Sequence, residues 1–253
     1  TLYNPATGEF FTGFRQVCGS GTACFKTSDG RYALRDLTTV DRTLIGTFDD
    51  QPSSYFPGYV VTWRTSGDFG YDLHDLVTGE VTPLYASSVM GDTIALYYED
   101  GRLKVFSTAT GDLITDTAVE PVEGQQSAMM NNEGSGYVWL ELRDNDRYET
   151  IATRVYGPEG LVSDLTHLQS KYYFLNYLTT TPEGRPLYYG TAEAPSRNGS
   201  LCDVLDETGN VALGLGDLGG CYSYYSNSLN QLPDHVFVAR RGFYYGWMDT
   251  DGK

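Results

Sequence analysis

Asp75-Leu-Val-Thr-Gly79-Glu-Val81 and Ser107-Thr-Ala-Thr-Gly111-Asp-Leu-Ile114 decide the reading of this chain. Each runs from the end of one strand through a tight turn, closed by a glycine, into a second strand. The same signature stands at Asn4-Pro-Ala-Thr-Gly8-Glu-Phe-Phe11 and at Asp36-Leu-Thr-Thr-Val40-Asp-Arg-Thr-Leu44. Looser copies follow at Tyr156-Gly-Pro-Glu-Gly160-Leu-Val162, Asp206-Glu-Thr-Gly209-Asn-Val-Ala-Leu213 and Asp249-Thr-Asp-Gly252-Lys253. From turn position 8 to turn position 252 there are six intervals over 244 residues. Their mean of about 41 matches the ~40–45 residues of a four-stranded propeller blade.

Working outward, each unit divides into four strands. In the third these are Ala86–Met90, Thr93–Tyr98, Leu103–Phe106 and Asp112–Thr115, with Asp100-Gly101 reading as a type I′ hairpin turn between the middle two. The expectation is an all-β chain: a β-propeller of about six four-stranded antiparallel blades, with seven as the alternative. The N-terminal strand closes the ring in this reading, with residues 8–14 pairing with the unit that holds Tyr244–Met248. Closure removes sheet edges that would otherwise seed aggregation. Residues 1–253 read as one domain of a longer exported protein. Only Gly160–Gln169 has any helical pattern. The Tyr-Tyr pairs at 97–98, 172–173, 188–189 and 244–245 fall within strands, where neighbouring blades cover both faces, so both rings of a pair are packing residues.

Composition excludes several classes. The net charge is −16, from 33 acidic against 17 basic residues, so no basic face is available for nucleic acid. No run approaches the ~18 apolar residues of a membrane span, so no membrane insertion is expected, and the chain reads as a monomer. The four cysteines fall into local pairs, Cys18 with Cys24 and Cys202 with Cys221, which fits two disulfides and an extracellular or cell-surface setting. Four buried thiols are the other reading. With no Cys-x-x-Cys and with His74, His167 and His235 scattered, no metal and no cofactor are expected.

Catalytic signatures are missing too. There is no Gly-x-Ser-x-Gly, no His-Glu-x-x-His and no phosphate-cradling glycine loop. Asp29, Asp100, Asp206 and Asp251 sit at turns, where Asp bonds the turn backbone. The binding candidates are aromatics read as loop residues: Tyr55 and Phe56, and Tyr222, Tyr224 and Tyr225 with Asn227 close by. Rings beside amides hold sugars or extended peptides. The function expected is therefore non-enzymatic binding of a protein or glycan ligand. Alternatives are a secreted carbohydrate-active enzyme with acidic residues at the central channel, and a structural spacer.

The last segment, Arg241-Gly-Phe-Tyr-Tyr-Gly-Trp-Met-Asp-Thr-Asp-Gly-Lys253, resembles a WG (KWG) repeat. Gly246-Trp247 and the Asp249, Gly252, Lys253 turn carry the match, over about one repeat. Asp29-Gly30-Arg31 and Asp100-Gly101-Arg102 keep only the turn. The resemblance implies an exported or surface protein of a Gram-positive bacterium and assigns no catalytic residue.

Overall fold

The computed structural model describes residues 2–4, 9–19, 21–39, 41–65, 70–132, 137–147, 149–172, 174–193, 200–214, 221–222, 236–241 and 244–253. Glycine turns and short runs of Val, Leu, Tyr and Thr produce strands almost throughout. A two-stranded sheet comes first, β1 (Leu2–Asn4) with β2 (Glu9–Phe11). A four-stranded sheet follows: β3 (Phe14–Gly19), β4 (Thr22–Lys26), β5 (Tyr32–Asp36) and β6 (Leu44–Phe48). Seven strands form the next: β7 (Gln51–Phe56), β8 (Tyr59–Trp63), β9 (Tyr71–Asp75), β10 (Val81–Met90), β11 (Thr93–Tyr98), β12 (Arg102–Ser107) and β13 (Leu113–Ala118). Two more four-stranded sheets are β14 (Ser127–Asn132) to β17 (Gly160–Asp164), through β15 (Val138–Asp144) and β16 (Glu149–Gly157), and β18 (Phe174–Thr180) to β21 (Val211–Gly214), through β19 (Pro186–Glu193) and β20 (Ser200–Leu205). The last sheet joins β22 (Cys221–Tyr222), β23 (Val236–Arg241) and β24 (Tyr244–Asp249). Among the described residues every pairing is antiparallel and links strands adjacent in sequence. Within Gly160–Gln169 the chain forms β17 and then a single 3-10 turn, Thr166–Leu168. No helix among the described residues is long and apolar enough to cross a membrane.

The repeated turns have the backbone their sequence implies. Gly79, Gly111, Gly160, Gly209 and Gly252 all have positive φ. The aspartates that open the turns bind turn amides: Asp75 accepts from Val77 and Thr78, Asp206 from Thr208 and Asn210, Asp249 from Asp251 and Lys253. Asp100-Gly101 differs from the expected type I′ turn. Only Gly101 has positive φ there, and its amide donates to Tyr98 O at 3.1 Å. The hairpin is a longer one in which a single left-handed glycine restores the strand twist.

Packing follows the chain from sheet to sheet. In β11, Ala95 and Tyr97 join the apolar cluster shared with β14–β16, while Ile94, Leu96 and Tyr98 join the one shared with β7–β9. Alternation thus buries both members of Tyr97-Tyr98. Tyr188 and Tyr189 divide in the same way between two further clusters. Arg154 of β16 is almost wholly buried and ties one such seam together. It donates to Glu120 O at 2.6 Å and pairs with Asp164 at 3.2 Å. Arg154→Met is expected to lower stability by about 1 kcal/mol, because the exposed Glu120 carbonyl and Asp164 carboxylate regain water in place of the guanidinium. Urea denaturation measures this, and a shift under about 0.5 kcal/mol contradicts it.

His74 lies in another seam, edge-on to Phe48 at 5.1 Å and within 3.0 Å of Thr62 Oγ1. Burial lowers its pKa, against the opposing pull of Asp72 and Asp50. The unfolded chain therefore takes up this proton first as pH falls. The contribution of a neutral His74 is complete above about pH 6.5 and is lost below it. The melting temperature is expected to fall between about pH 7.5 and about pH 5.5 in the parent and to fall less in His74→Gln. Parallel pH profiles contradict this.

One expectation changes here. Cys18 and Cys24 stand as buried thiols, not as a disulfide. Cys18 falls where the β3–β4 register slips, between the pairs Val17↔Ala23 and Gly19↔Thr22, and its Sγ lies 3.4 Å from Pro52 O. Hydrogen bonding to Cys24 and burial together push the Cys18 thiol far above its usual range. Cys202 is buried, and the side chain of Cys221 lies outside the described residues. Among the described registers β2 pairs with β1 and β24 with β23, and no sheet closes through the N-terminal strand.

Candidate functional site

The long strand β10 builds the site. Its first half, Val81–Leu84, pairs with β9, and its second half, Leu84–Met90, pairs with β11. The register slips between Leu84 and Ala86, so the strand bends there. Leu84 stands opposite Tyr71 on one side and Tyr98 on the other, at 0% exposure. The two halves of the seven-stranded sheet fold toward each other about this corner and leave a groove of about 600 Å3. It follows β12 from Asp100, past Lys104, to Asp112. Six residues of strand span about 20 Å.

Aromatic rings line the groove. Phe56 stacks on Tyr59 at 5.0 Å, and Phe106 lies 5.5 Å and 5.9 Å from the two. Tyr98 is buried, which raises its phenol well above the usual range and keeps it neutral. The ammonium of Lys104 sits 4.9 Å from the centre of the Tyr98 ring, within cation–π range. Carboxylates mark the rim: Asp75, Glu80 and Asp112 at one end, Asp100 at the other. Three of them are positioned by their own turns. Asp75 accepts from Val77 N at 2.8 Å and Thr78 N at 2.9 Å, Asp100 from Arg102 N at 3.0 Å, and Asp112 from Thr110 Oγ1 at 2.7 Å. The backbone bonds from Thr78 and Val77 hold Asp75 below the usual carboxylate range.

A smaller hollow of about 230 Å3 lies beside Glu141, Thr150, Gln169 and Tyr172. Its polar groups satisfy one another. Glu141 accepts from Trp139 Nε1, Arg143 and Thr150, and Gln169 donates to Thr153 Oγ1 at 2.6 Å. That network positions side chains and leaves little for a ligand.

The residues singled out from the sequence fare unevenly. Tyr55 and Phe56 belong to strand β7, not to a loop; the turn begins only at Pro57-Gly58. Tyr55 packs half-buried in the seam with β3–β6. Phe56 is 1% exposed and serves as backing for Tyr59. The side chain of Tyr222, and Tyr224, Tyr225 and Asn227 entirely, lie outside the described residues. Tyr59, Tyr98, Lys104, Glu80 and Asp112 were not found by sequence reasoning. A signal was present: the repeated turn carries an acid directly after its glycine, at Glu80 and at Asp112, and consecutive units lie side by side. Among the described residues no cluster of His, Cys, Asp and Glu is arranged to hold a metal.

Residues 2–253 match the family described as Domain of unknown function (DUF5046). No curated protein matches the chain. Among solved structures, the computationally designed Ika8 protein is similar at TM-score 0.40 and 16% identity, over 95% of this chain and 71% of that one. The N-terminal domain of Nup159 gives 0.37 and 9%, over 95% and 74%. BamB from Moraxella catarrhalis gives 0.35 and 12%, over 93% and 81%. The latter two are β-propeller proteins. Likenesses this weak carry no argument about this chain's role. The WG-repeat resemblance covers one hairpin, in which Trp247 is an exposed residue of β24.

Proposed function

Because the chain belongs to the DUF5046 family, we propose its function from its own geometry: a non-enzymatic binding module whose ligand, a protein or a glycan, lies in the groove along β12. The observation that carries this reading is the groove itself, about 600 Å3 with aromatic walls and a polar rim. That volume is within the ~300–1,000 Å3 of small-ligand sites. Glycoside hydrolysis fits less well. It requires a carboxylic acid aimed at the substrate, and Asp75, Asp100 and Asp112 each accept a bond from their own turn. An extracellular or cell-surface setting belongs to the same proposal. The test is a combined glycan and peptide array with the parent and with Glu80→Lys/Asp112→Lys. Array ligands lost by the charge-reversed variant and left chemically unchanged support the reading. Ligands retained by that variant, or converted to product, overturn it.

We further propose that the sheets form a six-bladed ring, with β2 as the fourth strand beside β24. The supporting observation is the repeat phase. The last sheet has three described strands, while the N-terminal hairpin repeats the turn that elsewhere joins third and fourth strands. Deleting residues 1–11, which removes β1 and β2 and leaves β3 whole, is then expected to lower the melting temperature well beyond an ordinary terminal truncation. A change within about two degrees, with monomer retained, contradicts the ring.

A further inference from the structure

The charge of the groove identifies its ligand more narrowly; this step rests on the binding-module reading above. Four carboxylates, those of Asp75, Glu80, Asp100 and Asp112, face a single ammonium, that of Lys104. Among the described residues Lys104 forms no ion pair; its contact is with the face of Tyr98. An aromatic face that holds the chain's own cation, inside an acidic rim, is suited to a cation from elsewhere. The net charge of −16 steers such a ligand toward the protein. Length matters as well. A groove of about 20 Å accepts an extended segment of five or six residues, with acids at both ends to meet side chains spaced along it.

We propose that the groove binds an extended, arginine-bearing peptide segment. One guanidinium takes the Tyr98 face in place of the Lys104 ammonium, and others pair with Glu80 and Asp112 at one end and with Asp100 at the other. Arginine fits better than lysine, because its planar group stacks on a ring and meets a carboxylate through two parallel hydrogen bonds. A neutral glycan leaves the excess negative charge unmatched.

The probe is an acetylated, amidated (Gly-Arg)5 peptide, followed by isothermal titration calorimetry. Binding is expected at low salt and weakens as salt rises. Glu80→Gln/Asp112→Asn is expected to lower affinity about tenfold. Lys104→Ala is expected to raise affinity several-fold, since it removes a competing cation; a purely structural Lys104 gives the reverse. Lys104→Met retains the aliphatic stem and guards against a loss of fold, and it too is expected to bind more tightly than the parent. Equal binding of (Gly-Glu)5, indifference to the rim variants, or weaker binding by both Lys104 variants overturns the proposal. If (Gly-Arg)5 does not bind but array glycans do, and are lost on charge reversal of the rim, the peptide inference falls and the binding module stands. If neither binds, both fall.

Discussion

Leu84→Ala is expected to lower stability by about 3 kcal/mol, in the middle of the range for emptying a buried leucine site. Leu84 is wholly buried, belongs to the cluster with Val61, Leu73, Ile94, Leu96 and Phe106, and is paired on both sides. Those strands are fixed by main-chain bonds on either flank, so the cavity cannot easily collapse. For a chain of this size the melting temperature falls by about 6–12 °C. Leu84→Ile keeps the volume and is expected to cost less than about 1.5 kcal/mol. The same leucine lies at the bend between the groove walls, so Leu84→Ala is also expected to weaken any ligand bound along β12. A cost below about 1 kcal/mol contradicts the tight corner described here.

Gly111→Ala is expected to be far more damaging than Gly79→Ala, although the two glycines occupy the same place in the repeat. Their φ values are +78° and +76°, so the left-handed backbone penalty is common to both, about 1 kcal/mol. Their surroundings differ. A Cβ at Gly79 meets nothing within 4 Å, whereas one at Gly111 comes within 2.6 Å of the carbonyl oxygen of Pro57. That oxygen is main chain, in the turn between β7 and β8, and it cannot swing aside. The overlap adds a further ~1–3 kcal/mol. Denaturant midpoints of the two variants give the difference directly. Equal losses contradict the close approach of the two turns.

Local chemistry made much of the fold legible. Gly79, Gly111, Gly160, Gly209 and Gly252 announced hairpins because only a left-handed residue closes such turns. Alternation announced the burial of both Tyr97 and Tyr98. What could not be read depends on how units meet. The strand β10 serves two units at once, and a repeat read one unit at a time divides it. Tyr55 and Phe56 looked exposed because Pro57 and Gly58 follow them, yet they close a strand. Cysteine spacing implied a bridge at Cys18 and Cys24, whereas both stand as buried thiols hydrogen-bonded to each other. The groove escaped notice for the same reason as β10. Tyr59, Lys104 and Asp112 are unremarkable singly and become a site only when two units face each other.

The reactivity of Lys104 toward acetylation shows most directly whether ligand lies along β12. The domain is treated with an amine-reactive acetate ester, alone and with saturating acetylated (Gly-Arg)5 or array glycan, neither of which carries an amine. Modification at each lysine is then read by mass spectrometry. Lys26, Lys171 and Lys253 serve as internal controls. Bound (Gly-Arg)5 is expected to speed acetylation of Lys104, because a guanidinium displaces its ammonium from the Tyr98 face, bound glycan is expected to slow it by covering the groove, and neither is expected to change the other three. Bound ligand that leaves Lys104 as reactive as before, or that shields a control lysine instead, contradicts that placement.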